Sequence, residues 1–161
     1  MATLSLMTNE SAEKDDDYMT PKSAWEQIQH LIPKDKIIWE AFYGDGKSGE
    51  FLTELGFDVI HEDVDFFKHN KGDIVVSNPP FTLKFPVLKR LKELNKPFIL
   101  LLPASVLGSK QLHSLFGNEL QVIIPNGRIN WIKNGEQTKA CWFASFYYCW
   151  QVGLPRDLLM L

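Results

Sequence analysis

The sequence predicts a single α/β domain built on a mainly parallel β-sheet. Short apolar runs alternate with segments whose apolar residues recur at helical spacing, which is the pattern of strands connected by helices. Glycine and proline residues separate these segments at short intervals. The chain has 161 residues, of which 45% are hydrophobic and 23% charged, so we expect one domain with a sizeable core, and wholesale disorder is excluded.

The first segment of the chain differs from the rest in composition. Residues 1–17 are acidic and without periodicity, so we expect a mobile tail there and one folded domain over residues 18–161. Thr20-Pro21 then predicts the start of a helix, with Thr20 as its cap and proline at its first position. Pro33 is expected to end this helix.

The next elements form two strand–helix–strand units. Strands are predicted at Ile37 to Trp39, Phe57 to Ile60, Asp73 to Ser77 and Phe98 to Leu102. The connecting helices are predicted at Ser48 to Leu55 and over the segment that contains Leu83, Val87, Leu91 and Leu94. Too few residues separate Asp63 from Ile74 for a further helix and a full strand, so we expect the sheet to be trimmed at one edge.

The last third of the sequence predicts a helix and then a hairpin. Lys110 to Phe116 is the helix, and Leu120 to Ile124 and Ile129 to Ile132 resemble strands. Asn134-Gly135 is typical of a tight hairpin turn. The aromatic segment Ala140 to Trp150 is expected to be a long strand inside the sheet, so that the C-terminal hairpin adds an antiparallel strand.

The composition also indicates a compartment. Met1 to Met7 lacks a basic region followed by a long apolar one, and no run of eighteen apolar residues occurs, so neither secretion nor a membrane span is expected. Cys141 and Cys149 are expected to be reduced thiols, and the histidines show no metal-ligand or triad pattern. These observations predict an intracellular protein, cytoplasmic or nuclear, without a metal site.

A glycine-containing loop follows the first strand. In Glu40-Ala41-Phe42-Tyr43-Gly44-Asp45-Gly46, the glycines allow the backbone to approach a ligand closely at the carboxyl edge of the sheet. The carboxylate of Glu40 would disfavour a phosphate and favour a cationic ligand such as S-adenosylmethionine. The alternative is that the glycines serve only the geometry of a strand–helix turn.

Acidic residues follow the second strand. A carboxylate at this edge can accept hydrogen bonds from ribose hydroxyls, and Asp63 fits that position best, with Glu62 as its rival. Asp65 and Phe66 could hold an adenine ring by a hydrogen bond and a stacking face. The alternative is a solvated acidic turn.

The most informative motif is Ser77-Asn78-Pro79-Pro80-Phe81. Its two prolines stiffen the end of a buried strand, and the residue before a proline is held extended, so carbonyl groups of Asn78 and Pro79 can face one cleft. An exocyclic amine needs such acceptors for its hydrogens, and an aromatic ring such as Phe81 can stack on its base. The alternative is a Pro-Pro loop without a ligand.

With these motifs, the chain resembles the S-adenosylmethionine-dependent amino-methyltransferases, specifically the N6-adenine family. Asn78 to Phe81 matches the family's catalytic motif, Glu40 to Gly46 resembles its cofactor loop, and Tyr18-Met19-Thr20-Pro21 matches an element that helps to bind the methionine end of the cofactor. The order of the three motifs is similar to the γ arrangement. The resemblance covers about residues 18–150 and implies a Rossmann-like class I methyltransferase fold.

The resemblance also implies the roles of particular residues. The implied catalytic residues are Asn78, Pro79, Pro80 and Phe81. The implied residues for S-adenosyl-L-methionine are Tyr18, Thr20, Pro21, Glu40, Phe42, Gly44, Asp45, Gly46, Asp63, Asp65, Phe66 and Asn78.

A nucleic-acid substrate is the expected partner, with DNA favoured over RNA. Basic residues follow the catalytic motif at Lys84, Lys89, Arg90, Lys92 and Lys96, and they would either contact phosphates or form a solvated face. Arg128 and Lys133 with Trp131 would either clamp a strand or belong to a structural hairpin. Because no insertion could act as a target-recognition domain, we expect either weak sequence choice or recognition supplied by a protein partner, by a homodimer or by the catalytic domain's own loops.

Two alternative functions remain open at this point. An amide nitrogen suits the same motif, so the substrate could be a protein glutamine, although those enzymes favour tyrosine where Phe81 stands and usually carry an extra domain. A catalytically silent subunit that binds a partner is the other alternative. The intact glycine loop and the intact Asn78 to Phe81 motif argue against it.

Overall fold

The computed structural model describes residues 18–139 and 141–161. Its strands are β1 (Ile38–Trp39), β2 (Val59–Ile60), β3 (Ile74–Ser77), β4 (Phe98–Pro103), β5 (Leu120–Ile124), β6 (Ile132–Lys133), β7 (Glu136–Gln137), β8 (Ser145–Trp150) and β9 (Leu158–Met160). Its α-helices are α1 (Lys22–Glu26), α2 (Lys47–Glu54), α3 (Lys84–Glu93) and α4 (Lys110–Phe116). Short 3-10 helices lie at Gln29–Leu31, Phe66–Lys68, Phe81–Leu83, Ala104–Gly108 and Gly117–Glu119. The tail predicted at residues 1–17 lies outside the described residues.

Seven strands form one mixed sheet in the order β2-β1-β3-β4-β8-β5-β9. All neighbouring pairs are parallel except the two that involve β8, which runs antiparallel to both β4 and β5. The α/β class with a mainly parallel sheet is therefore confirmed, and the arrangement is compatible with a Rossmann-like fold. One edge of the sheet is the two-residue strand β2, and only the 3-10 helix Phe66–Lys68 lies between β2 and β3 in the described chain.

Helices cover both faces of the sheet. Alternate residues of a strand point to opposite faces, so Ile38 packs with Trp25 of α1 and Leu52 of α2 on one side. On the other side, Trp39 belongs to a second core cluster that includes Val87 of α3 and further residues of α4. The result is a three-layer domain with a core on each side of the sheet.

The start of the described chain departs from the prediction in detail. The first helix is short and gives way to the 3-10 turn Gln29–Leu31 before Pro33. Pro21 is its N-cap residue, and no side chain caps it, so the predicted capping role of Thr20 is wrong. The backbone of Met19 instead pairs with that of Ile132 in both directions, at N–O distances of 2.8 and 2.9 Å.

The last part of the chain corrects the predicted hairpin. Asn134 and Gly135 both have positive φ angles, 53° and 78°, as a tight turn of this type requires. This turn joins β6 to β7 in a separate two-stranded sheet, so the antiparallel strand β8 is not part of that hairpin. Ile129 to Trp131 is not a strand, β8 begins only at Ser145, and β9 was not predicted. Ala140, the predicted start of the long strand, lies outside the described residues.

No helix among the described residues is long and apolar enough to cross a bilayer. Cys141 and Cys149 are both buried free thiols, as the sequence predicts.

Candidate functional site

Three cavities adjoin one another where the parallel strands end. The loops that follow β1, β3 and β4 leave the sheet at its carboxyl edge, and the chain enters the antiparallel strand β8 at the same edge. This is the edge at which open α/β sheets bind ligands.

The first cavity, here called the central cleft, is open to solvent and has about 520 Å³ of empty space when its open mouth is counted. Its lining comes from all three motifs of the sequence. The lining residues are Tyr18, Met19, Thr20, Glu40, Phe42, Tyr43, Gly44, Asp45, Ser48, Asn78, Pro79, Pro80 and Phe81. The fold thus brings together distant segments: Asn78 and Tyr18, which are hydrogen-bonded to each other here, lie 60 residues apart in the chain.

Two further cavities share residues with the central cleft. The aromatic pocket, about 880 Å³, is lined by Tyr18, Phe81, Thr82, Lys84, Pro103, Ala104, Ser105, Trp142, Phe143 and Ala144. The side pocket, about 580 Å³, is lined by Ala41, Phe42, Tyr43, Gly44, Val64, Asp65, Phe66, Phe67, Pro80 and Leu83. Phe81 and Tyr18 separate the central cleft from the aromatic pocket, so a ligand in one would lie beside a ligand in the other.

Glu40 places a carboxyl group in the wall of the central cleft. It is 1% exposed, and its partners are neutral: Ser48 Oγ donates to it at 2.6 Å, Phe42 N at 3.2 Å, and Ser77 Oγ donates to Oε1. Burial raises the pKa of this carboxyl to about 7, against the hydrogen bonds from the two serines and Phe42, which lower it. A cation bound in the cleft would stabilise the charged form.

The side-chain amide of Asn78 has a hydrogen-bond partner at its nitrogen but not at its oxygen. Its Nδ2 donates to the backbone oxygen of Tyr18 at 2.9 Å, while its Oδ1 is buried without a hydrogen-bond partner. A buried acceptor without a donor is costly, so a ligand that brings an N–H to this oxygen would gain its hydrogen bond. The Asn-Pro-Pro-Phe motif therefore presents an unused acceptor next to the central cleft.

Phe81 lies in a cluster of aromatic rings. It stacks on Tyr18 at a centroid distance of 5.9 Å and meets Trp131 and Phe143 edge-on, each at 5.7 Å. These contacts fix the ring as part of the wall between the central cleft and the aromatic pocket. Phe143, which the sequence reasoning did not single out, is therefore a site residue.

The glycine loop has the backbone geometry that the sequence predicts. Gly44 and Gly46 have φ angles of +58° and +82°, which other residues rarely adopt. Gly44 lines the central cleft, whereas Gly46 does not: a Cβ atom at Gly46 would meet the Tyr43 hydroxyl at 2.8 Å. Gly46 therefore supports the Tyr43 ring and does not face the ligand space, and Pro21 also lies outside the cavity linings.

The acidic turn after β2 contributes only in part. Asp65 and Phe66 line the side pocket, but Asp65 Oδ1 accepts a hydrogen bond from Phe67 N at 2.9 Å, and Phe66 is 3% exposed and packs on Trp39 and Phe42. Asp63 is exposed and lines none of the three cavities. The exposed ring of Phe67, which the sequence reasoning did not single out, is better placed than Phe66 to offer a stacking face.

Most cations of the predicted basic face hold the protein together. Arg90 donates to the backbone oxygens of Phe66 and His69, and the buried Lys96 donates to Asn70. Lys92 pairs with Glu119 at 3.3 Å. Lys84 lines the aromatic pocket and donates to Phe81 O at 2.9 Å, and Lys89 is exposed on α3. Of the five predicted cations, Lys84 is the one that lines a cavity, and Lys89 is the one that is exposed.

The second predicted group of substrate-binding residues, Arg128, Trp131 and Lys133, also makes contacts within the protein. Trp131 is fully buried against Tyr18 and Phe81, so a direct stacking role for Trp131 on a nucleic-acid strand does not fit the structure. Lys133 lies over the Tyr18 ring at 4.7 Å. Arg128 donates to Cys141 O at 2.8 Å, which ties this segment to the residue before Trp142.

Within residues 18–139 and 141–161, no three histidine, cysteine or acidic side chains come together as a metal site would require. No protein-family model matches the chain, and no curated protein matches it in sequence. The geometry of the three cavities is therefore the basis for the functional inference.

Proposed function

We propose that this protein transfers a methyl group from S-adenosyl-L-methionine to the exocyclic N6 amine of adenine in nucleic acid. The observation that carries the proposal is the orphaned Asn78 Oδ1, a buried acceptor on a residue that lines the cleft containing the Glu40 carboxyl group. Phe81 of the same motif lines both this cleft and the aromatic pocket. An amine nitrogen is a ligand that satisfies such an acceptor.

The central cleft and the side pocket have the chemistry to hold the cofactor. Glu40 offers a buried carboxyl group whose partners are all neutral, so a cationic ligand would compensate its charge. The residues that would hold the cofactor are Tyr18, Thr20, Glu40, Phe42, Gly44 and Asp45 in the central cleft, and Asp65 with the exposed ring of Phe67 in the side pocket. When bound, S-adenosyl-L-methionine supplies an electrophilic methyl group on a sulfonium, a good leaving group.

The chain's own residues would orient the amine. Asn78 Oδ1 and the carbonyl of Pro79 would accept its two hydrogens, which leaves the nitrogen lone pair free to face the methyl group. Placement and fixed dipoles would supply most of the rate enhancement, and the surplus proton would leave to solvent. Phe81 would support the base by its ring, which its aromatic neighbours hold in position.

The arrangement of the motifs supports the same proposal. Tyr18 to Thr20, the glycine loop and the Asn78 to Phe81 turn all line one cleft, as the resemblance to N6-adenine methyltransferases implies. The mixed sheet with its single antiparallel strand is compatible with the fold that this family has.

The test is methyl transfer to defined acceptors. The protein is incubated with radiolabelled S-adenosyl-L-methionine and, in parallel, single-stranded DNA, duplex DNA, RNA and a protein pool, with Leu158→Ala as a control variant on the exposed strand β9. We expect label in nucleic acid, recovered as N6-methyladenine after digestion. Label that reaches only protein would contradict the proposal and favour a glutamine acceptor.

A further inference from the structure

Trp142 is the tryptophan that the fold leaves in solvent. The chain has five tryptophans, and the other four are at most 3% exposed, whereas Trp142 is 79% exposed. Its ring meets Phe143 edge-on at 5.0 Å, and both rings line the aromatic pocket. An exposed aromatic ring is therefore continuous with the buried aromatic cluster around Phe81.

The charges around the cavities are segregated. The residues that line the central cleft include Glu40 and Asp45, whereas those that line the aromatic pocket include Lys84 and no acidic residue. Lys133 adds a second cation over the ring of Tyr18. The central cleft thus suits a cation, and the aromatic pocket suits a ligand that combines flat rings with negative charge.

We infer that the substrate is an unpaired nucleic-acid strand, and that Trp142 stacks on a base next to the one that occupies the aromatic pocket. This inference rests on the proposed function and specifies the substrate class. Stacking on an exposed aromatic ring with nearby cations is how proteins bind single strands without reading their sequence.

The geometry favours a single strand over a duplex for an energetic reason. A base in the aromatic pocket and a neighbouring base on Trp142 must both be unstacked from their own strand and unpaired. In a duplex each such step costs a few kcal/mol, whereas an unpaired strand has already lost its pairing. A duplex should therefore bind more weakly than a single strand that makes the same number of phosphate contacts.

Trp142 itself reports on the interaction. Because it is the exposed tryptophan, stacking of a base on it should quench the protein's fluorescence and shield it from iodide. The titration uses a labelled single-stranded DNA, the same sequence as RNA, and the matched duplex, with binding followed in parallel by anisotropy. Trp142→Phe should abolish the fluorescence change, and Trp142→Ala should weaken single-strand binding by about 5- to 150-fold, with Trp142→Phe between it and the parent.

The control variant is Leu158→Ala, which removes an exposed apolar side chain from β9, and it should bind like the parent. The inference is overturned if the duplex binds as tightly as the single strands, or if Trp142→Ala and Leu158→Ala bind alike. Methyl transfer to duplex adenine at the parental rate by Trp142→Ala would likewise overturn the inference while supporting the proposed function. Absence of methyl transfer to any nucleic acid would instead contradict the proposed function.

Discussion

Among the single residues, Glu40 is a carboxyl group whose pKa the fold shifts toward neutral pH. Its side chain is buried, its hydrogen-bond partners are neutral, and burial raises its pKa from 4.5 to about 7. The carboxyl group therefore titrates close to neutral pH. In the proposed function this group faces a cationic ligand, which would favour its charged form.

Glu40 predicts a pH dependence of stability. Because its pKa is higher in the folded state, the folded protein binds more protons than the unfolded chain between about pH 4.5 and 7, and stability falls as pH rises through that window. The slope from this residue reaches at most about 1.4 kcal/mol per pH unit. Urea unfolding at pH 5, 6, 7 and 8 measures it.

The matched variant for this prediction is Glu40→Gln, which keeps a polar side chain of the same length and cannot ionise. The stability of the parent relative to Glu40→Gln should decline from pH 5 to pH 8. If the two stability profiles run parallel, the carboxyl group of Glu40 does not titrate in this range.

At the scale of elements, the strand–loop–helix unit from β1 to α2 depends on close packing against the residue that follows β2. Gly49 lies in α2, and a Cβ atom there would come within 2.3 Å of the His61 ring and within 2.5 Å of its Cβ. The helix thus approaches the second strand as closely as a glycine allows. Tyr43 then stacks on the same His61 ring at 6.3 Å.

Gly49→Ala should therefore destabilise the protein. The added methyl group must displace the His61 ring or the helix, and overpacking of this kind costs about 1–3 kcal/mol. The control is Gly108→Ala, where an added Cβ meets nothing within 4 Å and the change should stay within about 0.5 kcal/mol. Equal losses in urea unfolding for the two variants would show that α2 has room to move.

At the scale of the whole molecule, the two ends of the described chain are joined through the core. Tyr147 on β8 donates its hydroxyl to the backbone oxygen of Ala24 in α1 at 2.6 Å, across 123 residues of sequence. Burial raises the pKa of this hydroxyl, so it stays a donor. The backbone pairing of Met19 with Ile132 adds a second link, directly after Tyr18, which lines the central cleft.

Tyr147→Phe tests this link. The variant keeps the ring but leaves a buried carbonyl without this donor, which costs about 1–3 kcal/mol. The free energy of unfolding in urea should fall by that amount with an unchanged slope, since the compact state stays the same. A parental stability would show that water or another group satisfies the Ala24 carbonyl.

The pattern of elements was predictable because it depends on local signals. The apolar runs of β3 and β4, the Asn134-Gly135 turn and the reduced cysteines follow from short stretches of sequence. The convergence of the glycine loop and the Asn-Pro-Pro-Phe turn was predictable because parallel strands end at one edge.

Other features depend on contacts that no local stretch reveals. Trp131 lies between Arg128 and Lys133 in the sequence, which is typical of an exposed side chain. In the structure, however, Tyr18 and Phe81 pack against it. Strand β9 exists through parallel pairing with β5, and Gly46 faces Tyr43 because of how the loop closes. In each of these three cases the contacting residue lies in a position that cannot be inferred from the spacing of residues in the sequence.

In the proposed function, the Asn78 amide oxygen is the acceptor that orients the reacting amine. Asn78→Ala removes that acceptor, together with the hydrogen bond from Asn78 Nδ2 to Tyr18 O, and leaves Phe81 and the Glu40 carboxyl in place. Single-turnover methyl transfer, with cofactor and nucleic acid both saturating, should slow by about 100- to 1000-fold, while cofactor affinity by calorimetry changes far less. Leu158→Ala should transfer at the parental rate. If Asn78→Ala also transfers methyl groups at the parental rate, the Asn-Pro-Pro-Phe turn has only a structural role, and the proposed role of Asn78 in orienting the amine is wrong.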